Sequence, residues 1–183
     1  MNLPTLLIVT GRPGSGKTTL AQALAREWHA PLVSRDQLME GYRLTTGEPG
    51  VVGGPDARHV FDAFADAVTL LLGWRISLVC EAAFQHKVWH PLLERWKPRA
   101  SVRVIVCQVD PTEARRRCVA RGLADPNRER FHGDPLVRAA REGREMPVEP
   151  YDPPQDDAPT MFVDTTADYR PTLAEVLAFA SEA

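Results

Sequence analysis

Gly11-Arg12-Pro13-Gly14-Ser15-Gly16-Lys17-Thr18 fits the pattern G-x-x-x-x-G-K-[ST] at every fixed position. Glycines at that spacing let the backbone turn its N–H groups toward one centre. The lysine and hydroxyl at the loop's end then add a cation and an oxygen donor. That is the chemistry of a phosphate cradle. It predicts a nucleoside triphosphate held by Gly11, Pro13, Gly14, Ser15, Gly16, Lys17, Thr18 and Thr19. Lys17 would reach the β- and γ-phosphates, and the Thr18 hydroxyl would ligate Mg²⁺.

Other chemistry-bearing residues follow short apolar runs. Arg35-Asp36 comes directly after Pro31-Leu32-Val33-Ser34. Asp36 could take a proton from an acceptor hydroxyl, or it could help cap a short helix, a role open to Ser34 as well. Arg35 could bind an acid group of the acceptor or stay a surface arginine. Glu81 follows Leu78-Val79-Cys80, where a carboxylate is costly to bury without a partner. It could hold Mg²⁺ through water, orient the nucleophile or contact the acceptor, and Phe84, Gln85 and His86 lie just beyond it. Further on come Arg115, Arg116, Arg117, Arg121, Arg128 and Arg130. Arginines of this kind stabilise charge on a transferring phosphoryl group when a lid closes. Arg117 and Arg121, four apart, share a helical face, whereas Arg115 and Arg116 read as solvated surface. His132-Gly133-Asp134 lacks a second His or Cys at ligand spacing, which argues against a protein-bound zinc there.

These residues need elements to position them. Thr5 to Thr10 is a largely apolar run, expected as a strand buried on both faces. Thr18 to His29 reads as a helix stopped by Pro31, and Arg35 to Tyr42 as a brief one. Residues 43–55 carry Gly and Pro in loop combinations. Asp56 is a plausible N-cap for a helix from Ala57 to Gly73. Strands are expected at 76–80, 102–107 and 160–163, and helices at 86–96, 111–122, 136–143 and 173–180. Strands alternating with helices predict an α/β fold with a mostly parallel sheet, in a single domain spanning 1–183. The polar, proline-rich stretch from Leu123 to Pro159 reads as lid and surface loop, with the lid at 123–145.

Bulk properties narrow the classes. The 183 residues hold 22 basic and 24 acidic side chains, a net charge of −2, which disfavours a strongly basic nucleic-acid binder. Cys80, Cys107 and Cys118 have no metal-like spacing and read as reduced core thiols. No run is long and apolar enough to span a bilayer, so a soluble cytoplasmic enzyme is expected. No guanine-reading N-K-x-D occurs, and the third strand runs into one acid rather than a pair. A phosphotransferase is therefore favoured over a GTPase switch or a motor ATPase.

Gly11–Thr18, Ser34-Arg35-Asp36, Glu81-Ala82-Ala83-Phe84, the arginine helix with His132-Gly133-Asp134, and Val163-Asp164-Thr165-Thr166 recur in one order. In this the chain resembles the small bacterial P-loop kinases of the polynucleotide kinase-like and zeta-toxin-like AAA class. The resemblance covers nearly the whole length. It implies a three-layer P-loop fold with five parallel strands in the order 2-3-1-4-5, as in nucleoside monophosphate kinases. It also implies Asp36 as base and Arg121 or Arg128 as the lid arginine. Polynucleotide kinase relatives carry an arginine a few residues after the aspartate, but here Gln37, Leu38, Met39 and Glu40 follow, with Arg43 further on. With the acidic balance, this favours a small-molecule or nucleotide hydroxyl over nucleic acid. The resulting expectation is an ATP- and magnesium-dependent kinase. Its catalytic residues would be Lys17, Asp36, Arg121 and Arg128, its acceptor contacts Arg35, Glu81 and Phe84, and its metal contacts Thr18 and Glu81. A slow regulatory ATPase module and a polynucleotide 5′-hydroxyl kinase are the alternatives.

Overall fold

The computed structural model describes residues 3–47, 54–125, 130–144, 146–147 and 150–181. Five strands form one parallel sheet: β1 (Thr5–Thr10), β2 (Leu32–Ser34), β3 (Leu78–Ala82), β4 (Ser101–Gln108) and β5 (Thr160–Asp164). Their order is β2-β3-β1-β4-β5, the arrangement expected from the sequence. The helices are α1 (Lys17–Glu27), α2 (Arg35–Thr46), α3 (Pro55–Gly73), α4 (His86–Trp96), α5 (Pro111–Ala124), α6 (Pro135–Arg141) and α7 (Leu173–Ser181). None of the described helices is long and apolar enough to cross a membrane.

The central strand explains the layering. Leu6 and Ile8 point to one face, where they join Phe64, Val68, Trp89, Leu93 and Trp96 from α3 and α4. Leu7 and Val9 point to the other and meet Leu20 and Leu24 of α1 with Val176 and Ala180 of α7. A strand sandwiched this way has no polar face, hence its continuous apolar reading. Cys80, Cys107 and Cys118 are buried and form no disulfide, as expected of core thiols. Burial pushes the Cys107 thiol up to about 12 and raises Cys80 further.

Several boundaries move for identifiable reasons. The third strand runs 78–82 rather than 76–80, so Glu81 lies inside it, paired in register with Val9 and Ser34. The expected loop at 43–55 shortens, because α2 continues to Thr46 and ends on Gly47 in the left-handed conformation (φ 73°). Residues 48–53 lie outside the described chain. Helix α3 starts two residues earlier than expected, with Gly54 as N-cap and Pro55 at its first position. Asp56 is therefore in the first turn, 3.8 Å from Arg43 Nε, rather than at the cap.

Candidate active site

All parallel strands end at one edge, so Thr10, Ser34, Glu81 and Gln108 arrive together without further design. The glycine loop leaves β1 there and delivers its chain into α1. Gly14 and Gly16 hold φ near 80° (82° and 78°), a left-handed conformation that favours glycine. At Gly14 a Cβ would also sit 2.1 Å from the Ala114 carbonyl oxygen, so the loop lies flat against α5. No acidic residue occupies the first turn of α1, and its N-cap makes no side-chain hydrogen bond. The helix N-terminus thus keeps its N–H groups and positive dipole end for an anion.

Beneath the loop lies a buried polar knot. Lys17 Nζ is 3.4 Å from Glu81 Oε1, and both side chains are almost wholly buried. The Thr18 hydroxyl stands 3.3 Å from the same oxygen, while Ser34 Oγ donates to Glu81 Oε2 at 2.7 Å. Glu81 is thereby satisfied on both oxygens at zero exposure, which answers the cost anticipated for it. An oxygen donor set of a hydroxyl and a carboxylate suits a hard divalent cation.

Ser34 also settles the rivalry over α2. It is the N-cap, and its Oγ accepts from Gln37 N at 3.5 Å. Asp36 sits in the first turn and lines a cavity of about 610 Å³ instead of capping the helix. Arg35 Nη1 approaches Asp36 Oδ1 at 3.4 Å. Arg35, Asp36, Lys17, Phe84 and Arg121 all line this cavity, so the residues expected on both sides of a transfer reaction face one space. Phe84 packs edge-on against Phe64 and Trp89, which gives the wall its rigidity.

The arginines of α5 sort differently from the sequence reading. Arg115, expected as solvated surface, faces the cavity and donates to the Met146 carbonyl at 2.7 Å. The reason is helical phase: Ala114, Arg115, Cys118, Arg121 and Gly122 fall on the cavity side. Arg116 is solvated as expected and bonds Glu113. Arg117 turns away from the cavity, donating to the Thr165 and Thr166 carbonyls at 3.1 and 2.7 Å. Arg116, then Arg117, hold the Glu113 carboxyl down at about 2. Arg128 lies outside the described residues. His132 has a partner in α2, with Nε2 2.8 Å from Glu40 Oε1, and this pair ties the segment between α5 and α6 to α2.

Residues that sequence reasoning passed over complete the site. Tyr151, from the stretch read as surface loop, lines the cavity and lies with its hydroxyl 2.6 Å from Thr10 Oγ1. Thr10 donates to the Ala82 carbonyl at 2.8 Å and accepts from Trp89 Nε1 at 3.0 Å. That leaves its second lone pair for the Tyr151 O–H. Burial raises Tyr151 to about 12, so it is a neutral donor here. Thr165 Oγ1 donates to the Ser15 carbonyl at 2.6 Å and fastens the glycine loop to the end of β5. A tyrosine in a proline-rich run was the one visible signal for Tyr151; Thr165 was marked only as part of Val163-Asp164-Thr165-Thr166, with no role attached.

A family model for the AAA domain matches residues 6–139. The chain belongs to the AAA domain family. Among solved structures, this AAA domain is similar to a Chloroflexus aurantiacus j-10-fl protein assigned as a kinase, at TM-score 0.78 and 22% identity over 97% of both chains. It is similar to the APS kinase CysC of Mycobacterium tuberculosis, at TM-score 0.67 and 17% identity over 100% of each. Identities this low establish the fold, which is that of nucleoside monophosphate kinase-like P-loop proteins. The tRNA dimethylallyltransferase of Acaryochloris marina (strain MBIC 11017) is 34% identical over 70 residues, 37% of this chain. The chain spans 23% of the length of that curated relative.

Proposed function

We propose that this AAA domain is an ATP- and magnesium-dependent kinase that transfers a γ-phosphate to a hydroxyl of a small molecule or nucleotide. One observation carries the reading. The glycine loop with Lys17 and the carboxylate of Asp36 face each other across a single cavity of about 610 Å³, walled by arginines. A space of that size suits a small ligand.

In this reading the loop's N–H groups and Lys17 hold the β- and γ-phosphates. Thr18 holds magnesium directly and Glu81 through water, and the ion neutralises charge on the phosphates when bound. Binding would draw Lys17 from Glu81 toward the nucleotide, a short movement from an ion pair 3.4 Å long. Asp36 accepts the proton of the acceptor hydroxyl as its oxygen attacks phosphorus in line with the leaving ADP oxygen. Arg35 and Phe84 orient the acceptor. Arg121 on α5 and Arg128 within the lid at 123–145 steady the γ-phosphate oxygens, and Arg115 joins Arg121 from the same face of α5. The whole of 1–183 acts as one domain. The acidic net charge of −2 favours a small acceptor over an oligonucleotide. Kinase assignments among the fold relatives, including a gluconokinase from Sinorhizobium meliloti 1021, agree with this class while differing in acceptor.

The test is a screen of sugars, nucleosides, aminoglycosides and oligonucleotides with γ-labelled ATP, followed by Asp36→Asn. The substitution should lower transfer about 10²- to 10⁴-fold, the usual contribution of a general base, and leave ATP affinity unchanged. Transfer at the wild-type rate would reject Asp36 as base. Indifference of slow hydrolysis, with no acceptor found, would instead indicate a regulatory ATPase module.

A further inference from the structure

After β3, the helix α4 carries His86 and His90 one turn apart on a common face, their ring centroids 5.6 Å apart. The segment running back toward β5 brings Asp156 onto them. His90 Nδ1 is 2.6 Å from Asp156 Oδ1, and His86 Nδ1 is 3.6 Å from Asp156 Oδ2. One donor atom from each residue lies within 4.8 Å of the other two. We propose that His86, His90 and Asp156 form a binding site for a divalent transition-metal ion of the zinc type, separate from the magnesium expected at the glycine loop.

The argument rests on Asp156. Its side chain is 96% buried (4% exposed), yet Oδ2 has no hydrogen-bond partner among the described residues. A buried carboxylate oxygen left in that state is unfavourable, and natural structures usually fill the need. His86 cannot fill it. The backbone N–H of Gln155 points at His86 Nδ1 at 3.2 Å, so that nitrogen is the unprotonated one and its ring proton sits on Nε2. The Oδ2 and Nδ1 lone pairs therefore face each other. A cation between them converts that opposition into coordination.

The donor set selects the ion. Two imidazole nitrogens with one carboxylate oxygen suit zinc and its neighbours rather than magnesium or calcium, which prefer oxygen throughout. Tetrahedral zinc with bonds of about 2.0–2.1 Å needs its ligand atoms roughly 3.4 Å apart. The spread here closes to that by rotating His90, whose side chain is more than half exposed, as the Nδ1 proton it gives to Asp156 Oδ1 passes to Nε2 by way of solvent. The long Gln155 contact is given up, and water takes the fourth position from the solvent side. The ion would pin the 150–156 segment to α4, reinforcing the Gln85 contacts with Asp152 N and Pro150 O. The same segment supplies Tyr151 to the cavity. Metal at this site therefore sets how firmly that wall is seated.

The full chain, stripped of metal with chelator, is titrated with Zn²⁺ by calorimetry and with Co²⁺ by visible absorption, beside His90→Gln and Asp156→Asn. His90 is surface-exposed, so its variant keeps the fold, which the far-UV spectrum and ATP binding verify. The wild type should take up one Zn²⁺ at micromolar affinity or better, show the intense bands of four-coordinate Co²⁺, and melt at a higher temperature with Zn²⁺. Both variants should bind at least tenfold more weakly and lose the bands. Binding in either variant as tight as wild type, or no uptake by the wild type below millimolar Zn²⁺, would overturn the site.

Discussion

The half of the cavity built on the glycine loop and the half lined by α2 and α5 are built on different physical plans. Around the glycine loop the polar side chains of Thr10, Lys17, Ser34, Glu81 and Thr165 are buried and tied to one another or to backbone, and the buried Ser15 Oγ has no partner among the described residues. Across the cavity, Arg35 and Asp36 keep 22% and 28% of their side chains exposed and come from α2, while Arg115 and Arg121 come from α5. The first half is a preorganised socket, in which low dielectric strengthens each contact and movement is costly. The second is an adaptable wall assembled from separate segments, where a change of side chain alters the ligand accepted without unfolding the protein. Under the proposed kinase function, a scaffold divided this way would hold one donor and vary the acceptor.

Perturbing the socket should therefore damage stability, whereas perturbing the wall should be tolerated. The largest effect is expected for Glu81→Ala. It strands Lys17 as a buried unpaired cation and removes the acceptor of Ser34, with a loss of about 3–5 kcal/mol by urea denaturation. If Glu81→Ala unfolds at the wild-type urea concentration, the knot does not hold the socket together.

Gly122 gives an intermediate case on the wall. A Cβ there would lie 2.4 Å from Val137 Cγ2 and 3.1 Å from Cγ1, so rotation of Val137 offers no escape. Overpacking of about 1–3 kcal/mol is partly offset by the gain of about 1 kcal/mol from alanine in a helix. Gly122→Ala should then cost on the order of 1 kcal/mol, and Val137→Ala in the same chain should restore much of it. Thermal melts of the two variants decide the matter, and a Gly122→Ala protein more stable than wild type would show that α5 and α6 slide apart freely.

Tyr151→Phe probes the seam between the halves. Removing its hydroxyl from Thr10 while keeping the ring should cost about 0.5–1.5 kcal/mol, read from the same melts. The smallest effect belongs to the surface pair of Glu113 with Arg116 and Arg117. Its carboxyl falls from 4.5 to about 2 on folding. The contribution is therefore fully present above the ordinary carboxylate range and is lost as pH drops from about 4.5 through about 2. Glu113→Gln should lower stability slightly near neutrality, as suits an exposed pair, and its profile should converge on the wild type's as pH falls toward about 2. An unchanged acid limb would remove the pair from the account.

What could be read directly from the chain was what is encoded locally. A left-handed φ at Gly14 and Gly16, an apolar run buried on both faces and the helix periodicities depend on neighbours within a few residues. So the glycine loop and the strand–helix alternation were legible, whereas the order β2-β3-β1-β4-β5 was implied by the resemblance to small P-loop kinases. Asp36 was found because it follows a strand end, where a parallel sheet gathers its ligands. Contacts between distant residues decided the rest. Glu81 is made tolerable by Ser34, 47 positions away, and Tyr151 reaches Thr10 across 141. Arg115 and Arg117 look alike in the sequence, yet one faces the cavity and the other anchors the end of β5. His86 and His90 have ligand spacing on their own helix, and only the returning chain supplies Asp156. Charged and polar side chains acquire their roles from the partners that neutralise them, and for these residues the fold chooses the partners.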